Sequence, residues 1–264
     1  MRVPSLDEIM EVAQSRGALS DAPWLWDGLV GAWPTQEGSG ARLIDVSGNR
    51  LHGVLVNMTP ATDWQVSVTG RVLQFNGYSG KYVQIPNPNV ISEGYTRAVW
   101  VRRDADVGTY PQVFTGNGFE GIYEQGDSIY IRIHINGARI LDRGIATFTI
   151  GKWFFVAVTH DGTRFRCYVD GRQLYVQGSP GGPIDDLRQV NRLSNSSSNY
   201  TWDGLICRPL LYRRPLSSTE IESLYADPWA MYRLRRRIYA VPHIPAFIKR
   251  RSLGLRAGTR EALI

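Results

Sequence analysis

The stretch GKWFFVAVTHDGTRFRCYVDGRQL, residues 151–174, decides the fold class. It contains two short apolar runs, and each run ends in an Asp-Gly pair, Asp161-Gly162 and Asp170-Gly171. Glycine adopts a positive φ at little steric cost, so Asp-Gly pairs suit the tight turns that join antiparallel strands. The stretch therefore predicts consecutive β-hairpins.

The same pattern extends in both directions along the chain. In SIYIRIHI, residues 128–135, the alternation puts the isoleucines on one face of a strand and Tyr130, Arg132 and His134 on the other. Many short strands with turn signals between them predict an all-β sandwich or barrel. Residues 178–201 are rich in Gly, Ser and Asn and are expected to form loops. Further apolar or alternating runs lie at 71–77, 82–86, 96–103 and 204–212.

Two short helices are predicted outside the strands. Ser5 and Glu8 form a capping-box pattern at the start of a helix over residues 5–17, and Ser217 and Glu220 repeat the pattern after the last strand. These boundaries divide the chain into an N-terminal helix and linker (1–26), a β domain (27–226) and an extended basic C-terminal arm (227–264).

Charge is distributed unevenly along the 264 residues, whose formal net charge is +6. Residues 233–264 hold nine basic residues and one acidic residue, whereas the preceding 232 residues hold 21 basic and 23 acidic ones. The basic character therefore belongs to the arm. The two cysteines, Cys167 and Cys207, lie in apolar runs and are predicted to be buried free thiols.

The N-terminus carries no recognisable secretion signal. MRVPSLDEIMEVAQ has acidic residues where a signal peptide needs an apolar segment. No apolar run approaches the roughly 18 residues of a membrane span. We therefore expect a protein that is made in the cytoplasm and does not enter a membrane.

Five stretches follow one another in a recognisable order: GLVGAWPTQEGSGARLIDVSGNRLHGVL (28–55), LQFNGYSGKYVQIPN (73–87), YTRAVWVRRD (95–104), the stretch at 151–174, and WDGLICRPLLYRRPLSSTEIESLY (202–225). Taken together, they resemble the laminin-G-like, concanavalin A-like jelly roll. The resemblance covers about residues 27–226 and implies two stacked antiparallel sheets of about a dozen strands. Within that family, LYADPW (224–229) followed by an arginine run (233–237) is similar to virion proteins of tailed bacteriophages.

Jelly rolls of this type also include glycoside hydrolases, whose retaining members need two carboxylates about 5–5.5 Å apart. FEGIYEQGD holds the nearest candidates, Glu120, Glu124 and Asp127, but its glycines are typical of a turn. We interpret these residues as solvated loop acids. The four histidines are scattered and no Gly-x-Ser-x-Gly motif is present. The sequence therefore predicts a protein that is not an enzyme.

A calcium site is a second possibility that the resemblance raises. Similar domains often bind Ca²⁺ near the turn that here contains Asp45 and Asn49, and both side chains offer hard oxygen ligands. The closing strand of such domains usually supplies an aspartate where this chain has Cys207, a soft ligand. A metal-free turn stabilised by the Asp and Asn side chains stays equally open.

Loop residues suggest a glycan-binding surface. Sugars are held by flat aromatic rings together with amide and hydroxyl groups, and the loops at 194–202 (SNSSSNYTW) and 108–111 (GTYP) offer both. The candidate residues are Tyr110, Asn195, Asn199, Tyr200 and Trp202.

The arm combines arginines with apolar residues, and Pro242 and Pro245 favour an extended path. We predict that it binds other proteins; phosphates of nucleic acid are the competing partner. The predicted partner-binding residues are Trp229, Tyr232, Arg233, Arg235, Arg236, Arg237, Phe247, Lys249, Arg250 and Arg251.

These observations predict a non-catalytic structural protein of a phage virion, within a symmetric homo-oligomeric assembly. A capsid decoration or accessory role is the first expectation, and a position on the tail or neck is the next. The arm would join the protein to other virion proteins, and the outward loops would bind glycans of the host surface. The alternatives are a cellular glycan-binding module and, less favoured, a glycoside hydrolase or lyase.

Overall fold

The computed structural model describes residues 2–77, 80–106, 109–116, 120–195, 197 and 200–235. Three α-helices are present in this part of the chain: α1 (Leu6–Gln14), α2 (Pro60–Asp63) and α3 (Ser218–Ala226). Single 3₁₀ turns lie at Pro23–Trp26, Asp185–Arg188 and Ala230–Tyr232. Sixteen strands are β1 (Leu29–Ala32), β2 (Arg42–Leu43), β3 (Gly53–Val56), β4 (Trp64–Ser67), β5 (Gly70–Asn76), β6 (Tyr82–Ile85), β7 (Gly94–Arg103), β8 (Gln112–Thr115), β9 (Gly121–Gln125), β10 (Ser128–Ile135), β11 (Ala138–Thr147), β12 (Trp153–Asp161), β13 (Arg164–Val169), β14 (Arg172–Gly178), β15 (Asn191–Ser194) and β16 (Asp203–Tyr212).

The strands form two antiparallel sheets of eight strands each. The first sheet has the order β14-β13-β12-β7-β16-β5-β4, with β1 added beside β16, and the second has the order β11-β10-β9-β8-β15-β6-β3-β2. The predicted all-β, two-sheet jelly-roll sandwich with a short N-terminal helix and a short helix after the last strand is confirmed. The hairpins predicted from residues 151–174 are β12-β13-β14.

The main core lies between the two sheets. On β10 the burial alternates strictly, and the isoleucines of the SIYIRIHI segment all point into this core, as their period of two predicts. Both predicted free thiols, Cys167 and Cys207, are buried. Burial raises the pKa of the Cys167 thiol to about 12 and that of Cys207 to about 11, so both are held as inert thiols.

A second core covers the outer face of the first sheet. β12 and β16 are buried on both faces along almost their whole length, which explains why they read as nearly continuous apolar runs. Their outward side chains, such as Phe155 and Tyr212, pack against α1, α3 and the segment from Trp229 to Tyr232. Both ends of the described chain are therefore parts of the folded domain.

The expected boundary at residue 227 needs correction. Trp229 and Tyr232, predicted to be anchors on a free arm, are completely buried in the second core. The Trp26 indole N–H donates to the Met231 carbonyl at 2.8 Å, and Ser20 Oγ donates to the same carbonyl at 2.9 Å. The sequence signal was misleading because aromatic residues suit an arm and a core equally well.

The next residues are also held by the N-terminal segment. Arg233 lies between Asp21, at 3.2 Å, and Asp227, and the backbone N–H of Leu234 donates to Glu8 at 2.9 Å. Arg235 is exposed and is the last residue described. The other predicted arm residues, Arg236, Arg237, Phe247, Lys249, Arg250 and Arg251, lie outside the described residues.

We predict that truncation after Ala226 and truncation after Arg235 have opposite consequences. The shorter chain loses Trp229, Met231 and Tyr232 and should be destabilised by more than about 3 kcal/mol, because removal of a single buried Trp already costs about 3–5 kcal/mol. The chain that ends at Arg235 should unfold within about 0.5 kcal/mol of the full protein. Urea unfolding of the three chains measures the difference; equal stability of the two truncated chains would contradict the second core.

Candidate functional site

Four tyrosines form a continuous row on the second sheet and the loops at its end. Tyr123 on β9 lies opposite Tyr130 on β10, with ring centroids 5.4 Å apart. Tyr110 lies 6.3 Å from Tyr123 and stacks on Tyr200 at 6.4 Å. Because Ile122, Ile129 and Ile131 beside them point into the core, Tyr123 and Tyr130 lie on the outer face of the sheet. We call these four residues the tyrosine row.

A carboxylate and a guanidinium flank the row. The hydroxyl of Tyr123 donates to Asp142 at 2.7 Å, and Arg132 donates to the other oxygen of Asp142 at 3.0 Å. The Arg132 guanidinium also lies over the Tyr123 ring, 4.8 Å from its centroid. Burial of Tyr123 and its bond to Asp142 raise the pKa of its phenol, so it stays a donor at neutral pH.

A groove of about 380 Å³ runs along β10 and β11 beside the row and is lined by Tyr130, Asp142 and Gly144 among others. Gly144 lies opposite Tyr130, and a Cβ at this position would lie 3.0 Å from the Tyr130 ring. The glycine therefore leaves the ring accessible from the groove. An aromatic face beside a carboxylate acceptor and a guanidinium donor can hold a flat, hydroxyl-rich molecule.

The structure brings together three of the predicted glycan-binding residues. Tyr110 and Tyr200 belong to the tyrosine row, and the side-chain amide of Asn195 donates to Gln112 on β8 at 2.7 Å. Their role as sugar ligands stays a prediction. Asn199 lies outside the described residues.

Trp202 requires a correction. Its ring is completely buried between the sheets, 5.2 Å from Phe148, and its N–H donates to the Arg102 carbonyl at 3.3 Å. It therefore cannot face a ligand on the surface. The residues that sequence reasoning missed are Tyr123, Tyr130, Arg132 and Asp142. The alternation within 128–135 was the available signal, because it placed Tyr130 and Arg132 on the outer face.

The turn at Asp45 and Asn49 fits the metal-free alternative. The Asp45 carboxylate accepts bonds from the backbone N–H groups of Ala32, Ser47 and Leu51 at 2.9–3.0 Å. Asn49 directs its amide nitrogen, a donor, to the Val30 carbonyl at 2.8 Å. Hydrogen-bond donors occupy the positions that a calcium ion would need, so these residues do not fit the expected calcium site.

An acidic cluster lies near the end of β7. The Arg103 guanidinium lies 2.6 Å from Asp106, 2.7 Å from Glu124 and 2.8 Å from Asp127. These three acids, within the part of the chain that the structure describes, are the one group whose oxygens lie close enough together to share an ion, all within 4.8 Å. The arginine already supplies the positive charge at their centre.

Glu120 and Glu124 are not the solvated loop acids that the glycines suggested. Glu124 is buried on β9 and its backbone N–H donates to the Pro111 carbonyl at 2.8 Å, next to Tyr110. Glu120 is also buried, with His134 at 3.0 Å and Gln189 at 2.9 Å. The two carboxylates therefore belong to separate clusters.

Burial raises the pKa of Glu124 to about 8, and the negative charges of Asp106 and Asp127 add to the effect, while Arg103 opposes it. One guanidinium cannot neutralise three carboxylates, and the most buried of the three takes up the proton.

The geometry defines a two-sheet, lectin-like jelly roll, and comparison with known proteins agrees. Residues 76–222 match the model of the concanavalin A-like lectin/glucanases superfamily. Since the match covers more than half of the sequence, the chain belongs to that superfamily. A search of curated proteins finds no match. None of the described helices is both long enough and apolar enough to cross a membrane.

Solved structures show the same fold at low sequence identity. The binding domain of Paraclostridial mosquitocidal protein 1 is 16% identical with a TM-score of 0.61, over 76% of this chain and 52% of that one. The receptor-binding domain of botulinum neurotoxin mosaic serotype C/D is 15% identical with a TM-score of 0.61, over 76% of this chain and 51% of that domain. The chain thus spans about half of each. Domain 4 of a GH43 arabinanase from Geobacillus stearothermophilus, in complex with arabinotriose, is 15% identical with a TM-score of 0.56. The similarity covers 75% of this chain and 98% of that domain.

We predict that Glu124 makes the stability depend on pH. Its pKa is about 8 in the folded protein against an ordinary 4.5, so the folded state holds the extra proton between these values. Glu124 therefore makes its full contribution to the free energy of unfolding below about pH 4.5, and this contribution is lost as the pH rises through 8. In Glu124→Gln this part of the pH dependence should disappear.

Urea unfolding at pH 5, 6, 7, 8 and 9 measures the effect as the difference in stability between the wild type and the variant. The exposed Glu222→Gln is the matched control and should leave the pH profile unchanged. A Glu124→Gln profile parallel to that of the wild type would contradict the shifted pKa.

Proposed function

We propose that this protein is a non-catalytic glycan-binding protein and that the tyrosine row is its binding surface. The observation that carries the proposal is the accessible Tyr130 ring above Gly144, beside Asp142, in the groove along β10 and β11. A sugar ring has an apolar C–H face and a rim of hydroxyl groups. The C–H face packs on an aromatic ring, and the hydroxyl groups donate hydrogen bonds to a carboxylate and accept them from a guanidinium.

The arrangement of the row supports a ligand longer than one sugar. The centroid spacings of 5.4 Å, 6.3 Å and 6.4 Å run from Tyr130 through Tyr123 and Tyr110 to Tyr200. An extended chain of sugars could follow this line, with its end in the groove. Tyr123 is buried and fixes the direction of the row, so Tyr130, Tyr110 and Tyr200 would make the contacts.

The acids support a binding role over a catalytic one. Glu124 is buried 2.7 Å from the Arg103 guanidinium, and Glu120 is buried beside His134 and Gln189. A hydrolase would need two carboxylates on either side of one open cleft. Asp142, the acid beside the groove, is already shared by Arg132, Arg139 and the Tyr123 hydroxyl, which suits ligand orientation.

We further propose that the protein is a structural component of a tailed-phage virion, first as a capsid decoration or accessory protein and next on the tail or neck. The LYADPW segment and the arginine run support this placement. Because Trp229 and Tyr232 are internal, the attachment to other virion proteins falls to the exposed Arg235 and to residues 236–264. The tyrosine row would then bind glycans on the host surface. In a symmetric assembly, many such weak contacts would form at the same time.

Glycan binding is tested on an array of bacterial cell-surface polysaccharides and oligosaccharides. We expect binding to at least one glycan and a loss of about tenfold or more in affinity for Tyr130→Ala and for Tyr110→Ala, because each removes an aromatic face. Tyr225→Ala, a partly exposed tyrosine on α3, is the matched control and should bind like the wild type. Binding that survives both row substitutions, or cleavage of a bound glycan, would overturn the proposal.

Particle attachment is tested separately with the chain that ends at Arg235. We expect the full protein to co-sediment with purified, nuclease-treated virions, and the truncated chain to stay in the supernatant while it keeps its glycan binding. Arg236→Ala combined with Arg237→Ala should weaken co-sedimentation without unfolding the domain. Equal incorporation of all three chains would exclude the arm as the attachment, and binding lost after nuclease treatment would identify nucleic acid as the partner.

A further inference from the structure

The carboxylate beside the tyrosine row has little accepting capacity left for a ligand. One oxygen of Asp142 accepts a hydrogen bond from the Tyr123 hydroxyl at 2.7 Å. Its other oxygen accepts from Arg132 at 3.0 Å and from Arg139 at 3.1 Å. A carboxylate has about four lone-pair positions, so only about one stays open to a sugar hydroxyl.

A buried glutamine beside the row also has its acceptor in use. Gln112 on β8 lies directly opposite Tyr123, so the two side chains are on the same face of the sheet. Gln112 is 1% exposed, and its Oε1 accepts hydrogen bonds from the Thr115 hydroxyl and from the Asn195 amide, each at 2.7 Å. An amide oxygen has two lone pairs, and both are therefore occupied.

Hydrogen-bond donors, by contrast, are in excess at this surface. The Gln112 Nε2 and Arg132 Nε atoms are buried and have no acceptor among the residues that the structure describes. The Arg139 side chain is 58% exposed, so its guanidinium is open to a ligand. Because two guanidinium groups contact one carboxylate, the charge around Asp142 is also positive. An unpaired buried donor destabilises a protein, and a ligand that brings an acceptor removes that cost.

We infer that the tyrosine row binds acidic sugars, whose carboxylates bring both the acceptors and the negative charge that this surface lacks. The inference rests on the proposed role of the row as the glycan-binding surface, and it names the class of glycan. Hydrogen bonds from guanidinium and amide groups to a carboxylate are charge-assisted, and they are roughly twice as strong as those between neutral groups. A neutral sugar would leave the excess donors with weaker partners.

Two residues determine this preference. Arg139 contacts Asp142 through one nitrogen, Nη1, so the rest of its guanidinium can bind the carboxylate of a sugar. A guanidinium suits this role because it can donate two parallel hydrogen bonds to one carboxylate. Gln112, opposite Tyr123, donates through Nε2 to another oxygen of the ligand. Both residues therefore act on groups that distinguish an acidic sugar from its neutral counterpart.

Pairs of oligosaccharides that differ only in their carboxylates test the inference. The probes are hexasaccharides of galacturonate, alginate and hyaluronan, each compared with its carboxyl-reduced form by calorimetry on the full protein. We expect at least one acidic hexasaccharide to bind about tenfold or more tightly than its reduced form. Arg139→Gln should remove most of this difference, because it weakens binding of the acidic form and leaves that of the reduced form unchanged.

Further variants separate the row from the other basic residues of the chain. Gln112→Glu keeps the size of the side chain but replaces its donor by a negative charge, so it should weaken binding of the acidic form more than that of the reduced form. Tyr130→Ala should weaken both. Arg164→Gln, exposed on β13 of the first sheet, makes the same change in charge as Arg139→Gln and should bind like the wild type. Thermal midpoints verify that each variant is folded.

Equal affinity for the acidic and reduced forms would overturn the inference and leave a neutral glycan as the ligand of the row. Binding of acidic hexasaccharides that survives both Tyr130→Ala and Arg139→Gln would also overturn it, because basic residues elsewhere in the chain would then be responsible. If none of the acidic probes binds while neutral glycans bind on the array, the inference fails and the glycan-binding role stands. If no glycan of either kind binds, both fail.

Discussion

The arrangement of the second sheet depends on the hydrogen bonds that one buried guanidinium, that of Arg97, makes to it. Arg97 belongs to β7 of the first sheet and is completely buried between the sheets, where its head reaches the other layer. It donates to the Phe114 carbonyl at 2.7 Å and to the Glu120 carbonyl at 3.3 Å, and it is bonded to the Asn191 side chain. A buried cation is tolerated only where such acceptors surround it, so β8, β15 and the start of β9 must meet at this point.

Two consequences link this contact to the candidate site. A Cβ at Gly121 would lie 2.2 Å from the Arg97 guanidinium, so β9 begins at a glycine for steric reasons. β9 carries Tyr123 two residues later, and β15 leads into the loop that contains Asn195 and Tyr200. The same arginine that closes the sandwich therefore sets the strands from which the tyrosine row is built, while Arg103 holds the adjacent acids.

Periodicity in the sequence predicted the strands and the turns. The sequence did not predict which side chains are buried or clustered, because that depends on contacts between residues far apart in the chain. Alternation and Asp-Gly turns were enough for the two-sheet fold and for the inward isoleucines of β10. They could not show that Trp202 and Trp229 are buried. The sequence around an aromatic residue in a polar loop, or beside arginines, is the same whether its side chain lies in the core or on the surface. Glu124 was missed as a buried acid for a similar reason, since its partner Arg103 lies on another strand. The tyrosine row joins four residues from two strands and two loops, and only the register brings them together.

A crystal structure of the protein with an oligosaccharide that it binds would test the proposed binding surface most directly. We expect one sugar ring to lie against Tyr130 in the groove along β10 and β11, with a hydroxyl group bonded to Asp142. The chain of sugars should extend towards Tyr110 and Tyr200. A sugar bound instead on the first sheet, in the larger groove of about 520 Å³ beside Trp153 and Arg102, would contradict the proposed surface.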